Sequence, residues 1–459
     1  MREKTQFDGT RHTDASDGET VPVTGRATFR FIGAVEDLSE AECAALMNRS
    51  TSSDRVVRER TAAIVERVRI EGDAALFAMA REFDGVELAA LEVPRERWDA
   101  ALAALDPALR AAMERSAANI RRAHEAFRPV ANEIETEPGV VVGRRPDPLG
   151  RVGVYAPGGR AAYPSSVLMG AVPARVAGVG EVIVCSPPGP DGAPSAVVLA
   201  AAALAGVDRV FSLGGAGAVA AMAYGTERVP RVDRIVGPGN AYVAEAKLQV
   251  SGAVAIDSPA GPSELLVIAD FSADPAVVAR ELLAQAEHDP MAAVVAVAVG
   301  EEVADNVADA VRELLPHEPR AEIIRAALAA QGGLLVAQTY DEAIAFANAY
   351  AAEHLQLAVA EPQQGAVLER LRNAGTVFVG ETSSVSYGDY MTGANHVLPT
   401  GGLARSYSGL STLDFVRWTT YQRVTREAAA RLAEDVGVFA DSEGLAGHAS
   451  AARQWGKGR

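Results

Sequence analysis

The chain has 459 residues, with 43 Lys and Arg against 60 Asp and Glu, for a net charge of -17 at pH 7. An acidic surplus of this size repels nucleic-acid phosphate and anionic membrane surfaces, which leaves a small molecule as the expected partner. The length allows two or three domains, each able to bury its own core. Only two cysteines occur, Cys43 and Cys185, which excludes a disulfide framework or thiolate metal cluster and suits a reducing, cytoplasmic compartment.

In chain order, residues 1 to about 26 read as a polar, unstructured leader with no signal-peptide pattern. Residues 54 to 127 alternate Arg/Glu-rich and apolar positions at helical spacing. From Arg151 the pattern changes to strands at Val152–Tyr155, Val182–Cys185, Arg209–Phe211 and Arg234–Val236, each followed by a Gly/Pro turn and an Ala/Val-rich helix. A second such unit starts near Leu265, with strands at Leu266–Ile268, Val294–Val297, Leu334–Val336, Leu355–Leu357 and Val377–Val379. Strands that alternate with helices in this way predict two Rossmann-like units with parallel sheets, followed by a short tail of about 45 residues. The longest apolar run, Ala193 to Val207, is broken by Pro194 and Ser195 and is too short to span a bilayer. Cys185, at the end of a strand, reads as a small buried apolar residue more readily than as a nucleophile.

Glycine-rich turns fall at the carboxyl ends of the first unit's strands, where doubly wound sheets bind ligands: Pro157-Gly158-Gly159, Pro187-Pro188-Gly189, Gly214-Gly215 and Gly237-Pro238-Gly239-Asn240. Helix N-termini there present N–H donors to phosphate, as a dinucleotide requires. Gly215-Ala216-Gly217-Ala218-Val219-Ala220 fits the dinucleotide fingerprint, but the acid that should read the ribose is missing, because Asp233 precedes its strand. These glycines are therefore read as helix-packing residues beside a phosphate-facing turn. No Walker sequence is present.

Four of the seven histidines stand near acids or amides in the second half of the chain: His288, His354, His396 and His448. Gln285 and His288 are three residues apart at the end of an apolar helical run, a spacing that lets an amide oxygen and an imidazole face one metal ion. With Asp389 and His448 they make two nitrogens and two oxygens without sulfur, a set suited to zinc or a similar divalent cation. Glu353-His354, at the start of a strand, places two titratable groups side by side as a general acid/base pair. In a regular strand the two side chains would diverge, and a strand end or bulge relaxes that.

Several of these stretches together carry a resemblance. Tyr155-Ala156-Pro157-Gly158-Gly159, Gly237 through Val243, Asp257 through Glu264, Gln285-Ala286-Glu287-His288, Glu353-His354-Leu355, Gly388-Asp389-Tyr390, Asn395 through Thr400, and Glu443-Gly444-Leu445 with His448 resemble histidinol dehydrogenases, in order, from about residue 30 to 450. The resemblance implies zinc and NAD as cofactors. The implied reaction is a four-electron oxidation of L-histidinol to L-histidine through L-histidinaldehyde, which forms the last two steps of histidine biosynthesis.

The resemblance also implies roles for particular residues. Gln285, His288, Asp389 and His448 match zinc ligands, and Ser263, Gln285, His288, His354, Asp389, His396, Glu443 and His448 match substrate contacts. Glu353 and His354 match the acid/base residues, and Tyr155, Gly217 and Asn240 match NAD contacts. At Gly217 the family more often carries a Gln. Without that side chain's hydrogen bond at an exposed cofactor edge, NAD binding would weaken by about 0.5 to 1.5 kcal/mol.

The implied assembly is a homodimer whose C-terminal tail reaches the partner's site. The implied fold is α/β in an aldehyde-dehydrogenase-like arrangement. Its expected divisions are an N-terminal extension (1–50), an acid/base and metal domain (51–154 with 265–411), an NAD domain (155–264) and a tail domain (412–459). Two other readings stand beside this one: a zinc/NAD dehydrogenase of the same scaffold acting on another amino or hydroxy alcohol, and a non-catalytic paralogue.

Overall fold

A computed structural model describes residues 28–49, 55–158 and 162–456. The expected polar leader lies outside the described residues, as does Gly159. Two parallel sheets form the body. The larger has the order β1 (Phe31–Ala34), β11 (Gly333–Ala337), β10 (Ala293–Val299), β9 (Glu264–Ala269), β12 (His354–Ala358), β13 (Thr376–Val379). The smaller has the order β6 (Arg209–Ser212), β5 (Glu181–Ser186), β4 (Arg151–Tyr155), β7 (Arg234–Val236), β8 (Ala255–Ile256). A third, antiparallel sheet joins β14 (Val416–Val424), β3 (Val140–Pro148) and β2 (Asn132–Glu137).

All nine strands expected from the apolar runs are present. They are legible because a parallel sheet covered by helices on both faces buries every position. Successive residues then point to opposite faces and feed different cores. Leu265, Val267 and Ala269 of β9 pack on one side of the larger sheet, while Leu266 and Ile268 pack on the other. In the smaller sheet Val182 and Val184 divide in the same way from Ile183 and Cys185. Cys185 is fully buried, and burial raises its thiol pKa far above the usual range. It is a core residue and is not poised as a nucleophile.

The grouping of elements differs from the expected divisions. The helices Arg55–Glu71, Asp73–Met79, Arg95–Ala103 and Pro107–Ala126 cover the smaller sheet and not the larger one. Val65, Val68, Leu76 and Met79 pack with Tyr155, Ile183 and Phe211, while Trp98, Met113 and Ile120 pack with Val152 and Val154. The N-terminal segment instead joins the larger sheet, because β1 pairs in parallel with β11. The tail strand β14 pairs with β3 across a long stretch of sequence. Apolar faces seek the nearest complementary face in space, and sequence proximity does not reveal which sheet offers it.

His124 lies in the helix Pro107–Ala126, 1% exposed, with neither ring nitrogen hydrogen-bonded. Burial lowers its pKa from 6.5 to about 4. Between these values the unfolded chain binds a proton that the folded chain refuses, so folding stability rises with pH through this window and is lost as pH falls toward 4. The contribution is roughly 2 kcal/mol after allowance for solvent screening. Replacing His124 with Leu should therefore flatten the difference in urea midpoint between about pH 7 and about pH 4.5. An unchanged difference would refute this account.

Candidate active site

Glu353 and His354 occupy the entry to β12. The preceding helix, Tyr340–Tyr350, is stopped by Ala351 in the left-handed region at φ 54°, the only non-glycine residue so placed among the described residues. An alanine held there stores on the order of 1 kcal/mol, and the sharp turn delivers Glu353 before regular strand geometry begins. The two side chains therefore do not diverge: Glu353 Oε2 lies 3.5 Å from His354 Nδ1. Both residues are buried, at 6% and 5% exposure, and do not form a solvated strand end.

The ring of His354 is oriented by its neighbours. Nδ1 stands 2.9 Å from the carbonyl oxygen of Glu264, which makes Nδ1 the donor and leaves Nε2 as the free nitrogen. Nε2 is buried, has no hydrogen-bond partner and lies 3.8 Å from Asp389 Oδ1. Burial alone disfavours the imidazolium, but the carboxylates of Glu353 and Asp389 outweigh it and raise the pKa to about 9. Asp389, on the short helix Val385–Tyr390, also anchors His396, whose Nδ1 is 3.1 Å from the Asp389 carbonyl oxygen. Burial holds His396 below its ordinary value.

The expected metal ligands are only partly gathered. Gln285, 3% exposed, sits one residue before the end of the helix Pro275–Ala286, and its Nε2 is buried without a partner. His288 lies beyond the C-cap Glu287 and is exposed. Burial, followed by Asp389, Tyr163 and Glu287, raises the Tyr390 hydroxyl. Glu443 and His448 are exposed on the tail, in and beside the helix Ala446–Arg453. Among the described residues no group of three or more His, Cys, Asp or Glu is placed to hold a metal. One chain thus brings Glu353, His354, Asp389 and His396 together and does not gather His288, Asp389 and His448. The donor chemistry still fits zinc, since it is nitrogen and oxygen, with Gln285 offering its amide oxygen; the buried, unpartnered Nε2 of Gln285 is a donor and could serve only an acceptor. Ser263, half-buried, directly precedes β9, and its carbonyl accepts the Ala293 N–H at 3.0 Å.

The three expected cofactor contacts share one cleft of about 700 Å³ at the carboxyl ends of the smaller sheet's strands. Tyr155, Gly217 and Asn240 all line it, together with Gly158, Pro187 and Asp84. The buried Tyr155 hydroxyl accepts the Gly215 N–H at 3.0 Å. Asn240 caps the helix Ala241–Val250, its Oδ1 accepting the N–H groups of Tyr242 and Val243, which leaves its NH₂ for a ligand. Gly217 departs from expectation: it is buried, and a Cβ there would stand 3.0 Å from Met79 Sδ. Met79 has taken the space at a packed position, so Gly217 does not sit at an exposed edge. Asp233 accepts the Arg151 N–H at 2.9 Å and serves the fold.

Sequence reasoning missed four buried charges behind these residues. Lys247 pairs with Asp257, and between them they hold Gly237: Lys247 Nζ donates to its carbonyl at 3.1 Å, and its N–H donates to Asp257 at 2.7 Å. Gly237 has φ +112°, and a Cβ there would collide with the Tyr155 carbonyl oxygen. A signal was available, because Lys247 is one of only three lysines in an arginine-rich chain. Arg49 and Glu264, 215 residues apart, form a second buried pair at 2.9 Å. Removing one partner of such a pair costs about 3–5 kcal/mol. Their separation hid them.

The model of the histidinol dehydrogenase family matches residues 47–454. Histidinol dehydrogenase of Halobacterium salinarum is 51% identical over 418 residues, covering 91% of this chain and 97% of that protein. The enzyme of Methanosarcina barkeri is 46% identical over 420 residues, covering 91% and 96%. The crystal structure of histidinol dehydrogenase from Elizabethkingia anophelis superposes with a TM-score of 0.89 at 35% identity, covering 94% of this chain and 98% of that one. With the buried Glu353–His354 pair, the cleft and the parallel sheets in place, these matches show that the chain belongs to the histidinol dehydrogenase family of oxidoreductases.

Proposed function

We propose that this protein oxidises L-histidinol to L-histidine through L-histidinaldehyde with two NAD⁺ and one water, the last two steps of histidine biosynthesis. The observation that carries the reading is the buried Glu353–His354 pair, with one imidazole nitrogen fixed as donor and the other left without a partner. In the first oxidation the alcohol loses a hydroxyl proton and a hydride and becomes the aldehyde. In the second, water adds to the aldehyde carbonyl, and the hydrate loses a hydride and protons and becomes the carboxylate. NAD, bound in the cleft lined by Tyr155, Gly217 and Asn240, supplies the hydride acceptor in both.

His354 Nε2 takes the hydroxyl proton in the first step, and Glu353 takes a proton from the adding water in the second. Gln285, His288 and Asp389, with His448 from a second copy, would hold a zinc ion, which supplies Lewis-acid orientation of the substrate's nitrogens. With Asp389 engaged in holding the ion, His354 would have only Glu353 left to favour its imidazolium and would stand more often in the neutral form that accepts a proton. Ser263, His396 and Glu443 complete the substrate contacts. The exposed positions of Glu443 and His448 support a homodimer in which each tail serves the other subunit's site. The two free thiols suit a cytoplasmic setting, and no helix among the described residues is long and apolar enough to cross a membrane.

The direct test follows NADH absorbance with histidinol and NAD⁺, beside metal analysis of the same sample. Two NADH per histidinol are expected, with loss of turnover on chelation and recovery on adding Zn²⁺. Zinc bound stoichiometrically with no NADH formed would favour a non-catalytic paralogue, and turnover of a different alcohol alone would reassign the substrate.

A further inference from the structure

The strand pairing that presents the acid/base pair also sets two carboxylates opposite each other. β9 and β12 run in parallel with Leu265 opposite His354, so Glu264 faces Glu353 one residue earlier. Both are buried. Each backbone N–H donates to the other residue's carboxylate: Glu264 N to Glu353 Oε2 at 2.7 Å, and Glu353 N to Glu264 Oε2 at 3.3 Å. Two anions clasped this closely in a dry site repel and call for a countercharge.

Arg49 alters that balance. Its Nε and Nη2 donate to the two oxygens of Glu264 at 2.9 and 3.2 Å, and the Gly401 N–H adds a donor to Oε1 at 2.6 Å. With the Glu353 N–H, Glu264 receives four donors and has no oxygen left for substrate. The guanidinium is fixed in turn by the carbonyls of Tyr350 and Leu46 at 2.6 and 3.3 Å, and it lies 3.5 Å from the Tyr350 ring centroid. None of these donors reaches Glu353. Glu353 is held through Glu264, by one of its oxygens and by its own N–H.

We propose that the buried Arg49–Glu264 pair is a positioning device that holds Glu353 aimed as the base for water addition to the aldehyde. The proposal rests on the reading of Glu353 given above. Neither Arg49 nor Glu264 touches the reacting atoms. The pair fixes Glu264, and Glu264 in turn fixes the carboxylate and the N–H of Glu353.

Rapid mixing of enzyme and NAD⁺ with limiting histidinol resolves the two NADH formed per substrate into successive phases, and this readout separates positioning from general structural damage. Arg49→Met and Glu264→Gln should slow the second phase by about tenfold or more, with the first phase and the KM for histidinol within about threefold of the parent. Arg49→Lys, which keeps the charge but loses the two-pronged geometry, should recover part of the second phase. It also carries the test alone if Arg49→Met does not fold. Parent-like second-phase rates in the folded variants, or equal slowing of both phases, would overturn the proposal. Glu353→Gln run alongside tells the two failures apart: if it loses the second phase while Arg49 variants keep it, only the positioning role falls. If Glu353→Gln keeps the second phase, the assignment of Glu353 itself falls and the proposal with it.

Discussion

His354→Asn should lower kcat for histidinol by about a thousandfold, the upper part of what a positioned proton acceptor contributes. The choice of asparagine follows from the ring's two environments. Its NH₂ can keep the bond that Nδ1 makes to the Glu264 carbonyl at 2.9 Å, while the position of Nε2 is emptied. Structure and chemistry are thereby separated in one substitution. The melting temperature should stay within a few degrees, because the buried carbonyl keeps its donor. NAD binding, followed by fluorescence titration, should stay within about threefold, since His354 is not among the residues lining the cleft proposed for NAD. A variant that keeps more than about a tenth of parent kcat would remove His354 from the chemistry.

How much of the fold is legible in the sequence depends on whether the physics is local. Buried parallel strands such as Val294–Val297 announce themselves as apolar runs, because both faces are covered. β2, Asn132–Glu137, is exposed at every position and polar everywhere except Ile134, so no burial pattern marks it. The pairing of β1 with β11 and of β14 with β3 joins segments far apart in sequence. Such pairings, like the placement of the helices Arg55–Glu71 and Pro107–Ala126 on the smaller sheet, are decided by complementary faces in space.

The candidate site divides in the same way. Glu353 and His354 can be read because they are chain neighbours, and the glycine turns after β4 and β7 because they close strands; Tyr155 and Asn240 stand out within them only through the resemblance. The Arg49–Glu264 pair cannot be read, because nothing in the local sequence around Arg49 indicates burial against a strand 215 residues away. Gly217 is legible as a departure from the family, but its consequence is not. Whether a missing side chain leaves a gap or is filled by a neighbour depends on Met79, which arrives from a different helix.

The tail residues lead to the second large effect. Glu443 and His448 are exposed in the single chain, on a unit that also exposes Val438, Phe439 and Leu445. If each tail completes the other subunit's site, then His448→Ala should abolish turnover as fully as His354→Asn does, although the two residues lie in different parts of one chain. The decisive experiment mixes the two inactive variants after reversible dissociation. In a mixed dimer one site receives both defects and the other receives neither, because the body with intact His354 meets the tail with intact His448. Random reassortment of a two-fold dimer makes half of all dimers mixed, each with one intact site, so about a quarter of the parent activity should return. If each tail instead served its own subunit, every site in the mixture would carry one defect and no activity would appear. Recovery near a quarter is the result that a shared site requires, with the zinc content steady at half of the parent's, because half of all tails keep His448 in either pairing.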